Sequence, residues 1–91
     1  MTKDQKAHYG KVARLGCSLC RSIGYDTTDV GCELHHIRRA GKRATAPVIG
    51  LCPEHHRGNT GIHGMGRRAF ERKYSLTEED LLKQILELLD A

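Results

Sequence analysis

The chain has 91 residues and a mass of 10.2 kDa, which is the size of one small domain and leaves no room for a second core. Only 4% of the residues are aromatic, whereas four cysteines and six histidines can bind metal, so we expect metal to supplement a thin core. The net charge is +8 over residues 1–76, which suits nucleic acid but also ordinary solubility, and −4 over residues 77–91.

The N-terminal half of the sequence predicts one helix and two short strands. Helix formers over residues 4–15 predict a helix that Gly16 ends. Frequent Ser, Gly, Asp and Thr residues predict a loop over residues 17–31. A short strand over residues 32–37 leads into a basic turn, and the β-branched residues within 47–51 favour a returning strand.

The C-terminal half predicts three helices. Pro53 is suited to the first turn of a short helix, and the glycine-rich residues 58–66 predict irregular structure. Helical spacing then predicts a helix over residues 65–74 and a last helix over residues 77–89, capped by Thr77 and begun by three acidic residues. We assign the apolar stripe of that last helix to the core rather than to a partner: Leu81, Leu82, Ile85, Leu88 and Leu89.

The N-terminal residues are polar and lack the apolar core of a signal peptide. No apolar run approaches the roughly 18–20 residues that a membrane span requires. Cysteines in a chain without a secretion signal are expected to stay reduced and available to metal. We therefore predict a soluble cytoplasmic protein.

Two pairs of potential metal ligands share the same spacing. Cys17 and Cys20 are separated by two residues, and so are Cys52 and His55. A two-residue gap lets both side chains of a tight turn point at one ion, so the pairs predict a tetrahedral zinc site. Buried free thiols are the alternative. Cys32 either replaces His55 as the fourth ligand or is a small apolar residue of the first strand, which we favour.

The remaining histidines of the central region form a second group. His35 and His36 end the predicted first strand, His56 follows the zinc ligand on the short helix, and His63 lies in the glycine-rich segment. One of two adjacent histidines can bind a divalent metal while the other acts as a general base. Any one of them alone is more often a surface or hydrogen-bonded residue. Five histidines within residues 35–63 favour a joint, functional explanation.

The order of these residues resembles the HNH nucleases, which have the ββα-metal fold. More narrowly, four segments are similar to the phage recombination-enhancement (Ref-like, RecA-dependent) nucleases. The segments are Cys17-x2-Cys20-Arg21, Glu33-Leu34-His35-His36-Ile37, Leu51-Cys52-Pro53-Glu54-His55-His56-Arg57 and Ala69-Phe70-Glu71-x2-Tyr74. Their order is specific, and together they span nearly the whole chain.

The resemblance implies an α+β fold, namely a single small zinc-stapled ββα-metal (HNH) domain over residues 1–91 with flanking N- and C-terminal helices. It implies a metal-dependent DNA endonuclease of phage recombination or DNA processing, located in the cytoplasm of the bacterial host cell. The implied cofactors are a structural Zn²⁺ and a catalytic divalent metal, which is Mg²⁺, Mn²⁺ or Zn²⁺. The expected products carry 5′-phosphate and 3′-hydroxyl ends.

Site residues are carried over by their motif positions. His36 matches the general base, His35 matches the metal ligand before it, and His56 matches the final motif histidine. We add His63 as a third metal contact. Basic side chains of the turn and the later helices are assigned to DNA phosphates, although each alone is more often a solvated charge. They are Arg38, Arg39, Lys42, Arg43, Arg57, Arg67 and Arg68.

Two departures from the family pattern bear on these expectations. The middle Asn of the HNH pattern is expected near position 47, where this chain has Pro47, so the function of that Asn in the loop between the strands is performed otherwise or not at all. Ref-like members are described as acting with RecA filaments and as carrying a basic N-terminal extension, whereas the recognisable domain here begins almost at Met1. DNA is therefore the expected partner, and a RecA filament is the weaker expectation.

Two other functions compete with the nuclease. A non-catalytic zinc-binding module for DNA or protein needs the four zinc ligands but has no use for the other histidines. A structural or regulatory phage protein would use its acidic helix over residues 77–89 to dock a partner.

Overall fold

The computed structural model describes residues 2–25, 27, 31–38 and 46–90. Within these residues the chain forms six helices and a two-stranded sheet, which confirms the predicted α+β class. The elements are α1 (Lys3–Leu15), α2 (Ser18–Ser22), β1 (Glu33–His36), β2 (Val48–Leu51), α3 (Pro53–Arg57), α4 (Ile62–Met65), α5 (Arg67–Tyr74) and α6 (Glu78–Asp90). None of these helices combines the length and apolar character that crossing a membrane requires.

Helix α1 begins and ends close to the predicted positions. Thr2 and Gln5 form a capping box, in which each side chain accepts a hydrogen bond from the other residue's backbone N–H. Gly16 ends the helix with φ +78°, a value that favours glycine. A Cβ atom at Gly16 would also lie 2.8 Å from Thr27, so the turn is closely packed as well.

The sheet is antiparallel and shorter than predicted by one or two residues at its ends. His35 pairs with Ile49 and His36 pairs with Val48. Beyond the strands, the backbone N–H of Ile37 donates to the carbonyl of Pro47 at 2.9 Å. The HNH resemblance expects an Asn near Pro47, and here the carbonyl of Pro47 extends the pairing at the end of the sheet where the two strands are connected.

Two short helices occur where the sequence predicts none. Helix α2 lies in the predicted loop, because the turn that carries the first cysteine pair continues into one helical turn. Helix α4 lies in the predicted irregular segment and buries Ile62 in the core. Gly66, with φ +91°, separates α4 from α5, so the predicted continuous helix over residues 65–74 is wrong at its start.

Helix α6 begins as predicted, because Thr77 Oγ1 accepts the backbone N–H of Asp80 at 3.0 Å. Most of its apolar stripe is core, but Leu88 is 43% exposed, so assigning that residue to the core was wrong. The core draws residues from all parts of the described chain. It contains Val12, Cys17, Leu19, Ile37, Val48, Ile49, Leu51, Ile62, Phe70, Leu81, Leu82 and Ile85.

Candidate metal centres

The predicted zinc ligands come together in the structure. One ligand atom from each of Cys17, Cys20, Cys52 and His55 lies within 4.8 Å of the others, and we call these four residues the zinc cluster. Nδ1 of His55 is 3.3 Å from Sγ of Cys20 and of Cys52, and 3.7 Å from Sγ of Cys17. Ligand bonds of about 2.3 Å to a tetrahedral ion place neighbouring ligand atoms about 3.8 Å apart. The four residues therefore fit a zinc ion.

The two halves of the zinc cluster have the same local structure. Cys17 is the N-cap of α2 and Cys52 is the N-cap of α3, both with extended backbone. Cys20 and His55 follow three residues later, and residues three apart lie on the same face of a helix. Pro53 supports the second turn, because proline is favoured at the first position of a helix. The C-x2-C and C-x2-H spacings thus each place two of the clustered residues at the start of a helix in the same way.

The chemical state of the zinc cluster depends on metal. Burial, followed by the neighbouring thiols of Cys17 and Cys52, raises the pKa of Cys20 to about 12. Burial also lowers the pKa of His55. Metal binding requires thiolates and a neutral imidazole, so a bound ion would deprotonate the cysteines and use His55 in the form that burial favours.

Cys32 lies apart from the zinc cluster. Its thiol donates to the carbonyl of Ala13 at 3.4 Å, and it precedes β1 rather than lying within that strand. Burial raises the pKa of Cys32, so the thiol stays protonated. This geometry agrees with the apolar role that the sequence favours, and not with a fourth ligand.

Three of the remaining histidines also come together. One ring nitrogen from each of His35, His56 and His63 lies within 4.8 Å of the others, and we call these residues the histidine cluster. They come from β1, α3 and α4, and their ring centroids are 4.8–5.3 Å apart. His35 is 5% exposed, His56 is half-buried and His63 is exposed, so the cluster is open on one side. It fits a divalent ion that keeps an open coordination position.

His36 stands beside the histidine cluster rather than within it. It lines the same cleft of about 310 Å³ as the three clustered histidines and Arg38. Its ring meets Tyr9 of α1 edge-on, with centroids 6.0 Å apart. His36 follows His35 on β1, so it lies close to the histidine cluster. It is not one of the three residues whose ring nitrogens lie together.

Two carboxylates that sequence reasoning did not assign to the site bind the clustered histidines. Nδ1 of His56 is 2.9 Å from Oε1 of Glu33, which also accepts from Arg57. Nε2 of His35 is 2.5 Å from Oε2 of Glu78. The hydrogen bonds from Arg57 and then His56 lower the pKa of Glu33, which keeps that carboxylate charged.

His63 reaches the cluster because the backbone of α3 and α4 packs closely. A Cβ atom on Gly64 would lie 1.9 Å from the carbonyl oxygen of Gly58. The turn between the helices is closed by Glu54, whose carboxylate accepts the backbone N–H and the hydroxyl of Thr60 at 2.9 and 2.7 Å. Partial burial, followed by the two neighbouring histidines, lowers the pKa of His63 and favours the neutral form that a ligand needs.

A family described as recombination enhancement, RecA-dependent nuclease has a sequence model that matches residues 1–90. The chain belongs to this family. Neither a curated protein nor a solved structure matches the chain. The match confirms the resemblance to the Ref-like nucleases, and the family's description implies nuclease activity in recombination, with DNA and RecA involved.

A member of the RecA-dependent nuclease family would contact DNA phosphates through its basic side chains, so their placement is relevant. Arg38 is exposed and lines the cleft of the histidine cluster. Arg57 is exposed and shares the carboxylate that holds His56. Arg67 pairs with Glu71 at 3.2 Å, and Arg68 is exposed on α5. The other predicted phosphate contacts lie outside the described residues: Arg39, Lys42 and Arg43.

Proposed function

We propose that this chain is a metal-dependent DNA endonuclease of the HNH type, formed by a single domain over residues 1–91 and acting in phage recombination or DNA processing. The observation that carries the proposal is the histidine cluster in a cleft that His36 also lines. The order β1, β2, α3 supports the ββα-metal assignment, because His35 lies on the first strand and His56 on the helix.

In this proposal His35, His56 and His63 hold the catalytic ion. When bound, Mg²⁺, Mn²⁺ or Zn²⁺ stabilises the negative charge that develops on the attacked phosphate and on the departing 3′ oxygen. The donor set fits such an ion, because His63 is biased toward its neutral form and His35 and His56 each have a carboxylate partner.

His36 acts as the general base. Its ring removes a proton from water as the water oxygen attacks phosphorus, the bond between phosphorus and the 3′ oxygen breaks, and the 3′ oxygen takes up a proton from solvent water. The products therefore carry a 5′-phosphate and a 3′-hydroxyl. His36 suits this role because it lines the cleft and is not one of the three clustered residues.

The zinc cluster has a structural role in this proposal. Zinc on Cys17, Cys20, Cys52 and His55 ties the start of α2 to the start of α3. Helix α3 also carries His56, so the zinc would fix one wall of the catalytic cleft.

Basic side chains around the cleft are proposed to hold the DNA backbone. Arg38 lies beside the histidines, since it lines their cleft. Phosphate contacts of this kind position DNA without reading its sequence, so we expect little sequence preference. The family's description makes a RecA filament a second proposed partner.

Cleavage of plasmid DNA tests the proposal. Zinc-loaded protein is incubated with Mg²⁺, Mn²⁺ or added Zn²⁺, with and without RecA filaments. We expect cleavage by the wild type and a loss of about 100- to 10,000-fold in His36→Ala, the contribution typical of a general base. His8→Ala is the control histidine, because His8 lies on α1 and outside both clusters.

The proposal fails if the wild type never cuts, or if His36→Ala cuts as well as the wild type. Retained DNA binding without cleavage would favour the non-catalytic zinc module instead.

A further inference from the structure

The first turn of α6 reaches the histidine cluster. Its first residue, Glu78, is only 9% exposed, whereas the acidic residues that follow it, Glu79 and Asp80, are exposed. Oε2 of Glu78 lies 2.5 Å from Nε2 of His35. A carboxylate is rarely buried unless it is paired, and the partner of Glu78 is His35 of the proposed active site. From the sequence alone, these three acids are expected only as the start of the last helix.

Glu78 is held in place from both sides. Its backbone N–H donates to Oε2 of Glu71 at 2.9 Å, and Oε1 of Glu71 accepts from Arg67 at 3.2 Å. Nε of Arg67 is also 3.9 Å from Oε1 of Glu78. The junction of α5 and α6 thus fixes the backbone of Glu78 and neutralises part of the charge beside it. These contacts go beyond the hydrogen bonds that cap the first turn of a helix.

The contact favours one tautomer of the His35 ring. An ionised carboxylate only accepts hydrogen bonds, so a bond between Glu78 and His35 requires the proton on Nε2 of the ring. Nδ1 then keeps the lone pair and is the nitrogen available to a metal. The neighbouring ligand is arranged in the same way, since Nδ1 of His56 is held by Glu33 and Nε2 remains available.

Glu78 does not belong to the ligand set itself. Among the described residues, the group at this site whose ligand atoms lie within 4.8 Å of one another consists of the three histidines and does not include Glu78. A carboxylate bonded to the far nitrogen of a metal-binding histidine fixes its orientation and raises its basicity. Glu78 has the position of such an outer carboxylate.

We propose that Glu78 is a positioning residue of the nuclease site, whose carboxylate orients His35 so that Nδ1 faces the metal, and that helix α6 is thereby part of the active site. This inference rests on the proposed function, because it assigns the histidine cluster to a catalytic ion. It extends the site beyond the strands and helix of the HNH pattern.

The first test reads the His35 ring directly. Long-range ¹H–¹⁵N spectra of zinc-loaded wild type, without a second metal, distinguish a protonated Nε2 from a protonated Nδ1. We expect His35 to be protonated at Nε2 and bare at Nδ1. A proton on Nδ1 in place of Nε2 overturns the proposal. This measurement needs no variant, so it decides the matter even if changes at Glu78 disturb folding.

The second test measures metal affinity. Zinc-loaded Glu78→Gln is titrated with Mn²⁺, and free Mn²⁺ is followed by electron paramagnetic resonance. We expect its affinity to fall about 10- to 100-fold, the range typical of lost outer-shell partners. Glu79→Gln is the matched control, because it removes the same charge from the next, exposed residue of α6. We expect the affinity of Glu79→Gln to stay within about twofold of the wild type, since dipole effects at exposed sites are small.

The outcomes separate the two proposals. Equal Mn²⁺ affinity of wild type and folded Glu78→Gln overturns the role of Glu78 and leaves the proposed nuclease intact. A wild type that neither binds Mn²⁺ at the histidines nor cuts DNA contradicts the proposed function. In that case the proton position on His35 still shows whether Glu78 holds the ring.

Discussion

The zinc cluster and the histidine cluster share helix α3 but are built differently. His55 and its neighbour His56 lie side by side on α3, about 100° apart around the helix axis, and each faces a different cluster. The zinc cluster has four potential ligands in two local pairs. The histidine cluster has three potential ligands from three elements and opens onto a cleft. Closed four-ligand sites are typical of structural zinc, whereas catalytic sites keep an open position.

The two clusters also differ in the surrounding contacts that position their side chains. The zinc cluster takes its geometry from two helix starts, and its ligand atoms contact one another directly. The histidine cluster depends on outside support, namely two carboxylates on its rings and close backbone packing beneath His63. A local motif therefore suffices to assemble the zinc cluster, whereas the histidine cluster needs packing between distant parts of the chain.

The largest effect is expected from breaking the zinc cluster. Structural zinc contributes on the order of 10 kcal/mol in small zinc-dependent domains, so we expect Cys17→Ser to lose cooperative folding. Circular dichroism during heating measures this, and chelation of the wild type should have the same effect. Cys32→Ser is the control, because Cys32 lies outside the cluster. Full thermal stability in Cys17→Ser would rule out a structural zinc.

Substitution of the neighbouring histidines compares the two clusters on one helix. We expect His55→Ala to lose zinc and folding, because His55 contacts all three clustered cysteines. We expect His56→Ala to keep zinc and folding but to lose at least about 100-fold in DNA cleavage, more than the loss of an outer-shell partner. Zinc content, thermal unfolding and plasmid cleavage are measured on both. Identical behaviour of the two variants would mean that the clusters are not separate.

Close packing beneath His63 is the next target. A Cβ atom in Gly64→Ala would meet the carbonyl of Gly58 at 1.9 Å, so the backbone must shift. We expect a loss of about 1–3 kcal/mol in unfolding free energy, typical of overpacking, and weaker Mn²⁺ binding with zinc retained. Gly31→Ala is the control, because a Cβ there meets nothing within 4 Å. Urea unfolding measures the free energy of unfolding of both variants. A Gly64→Ala protein as stable as the wild type would show that the backbone accommodates the methyl group.

The smallest effect concerns protonation of His63. Folding lowers the pKa of His63, so its neutral ring contributes to the free energy of unfolding above the unfolded pKa of about 6.5. That contribution is lost as the pH falls below this value. Nuclear magnetic resonance titration of zinc-loaded protein should give His63 a midpoint below 6.5. In His56→Ala the midpoint should move upward, because one of the neighbouring groups that lower the pKa of His63 is removed. A midpoint above 6.5 in the wild type would contradict this electrostatic description.

Local spacing explains why the zinc cluster was predictable from sequence. Residues three apart at a helix start meet whatever the rest of the fold does, so Cys17 and Cys20 could be paired directly. The number of histidines within residues 35–63 predicted a joint site, and the resemblance to a family then assigned roles to His35, His36 and His56. His63 was added to that set as a third metal contact. Their roles in catalysis stay predictions.

The supporting contacts could not be predicted in the same way. Glu78 meets His35 across 43 residues of sequence, and no spacing rule connects them. The glycines near His63 predicted an irregular segment, whereas the structure uses Gly64 to let a short helix approach the backbone of another. Tertiary packing fixes both features, and composition does not report it.

Crystals of zinc-loaded protein soaked in Mn²⁺ test the separation of the two clusters most directly. Anomalous scattering distinguishes the metals and locates each one. We expect zinc between Cys17, Cys20, Cys52 and His55, and manganese between His35, His56 and His63. Zinc at the first site with no manganese at the histidines, or manganese bound only at other places, would contradict the assignment of two separate metal sites.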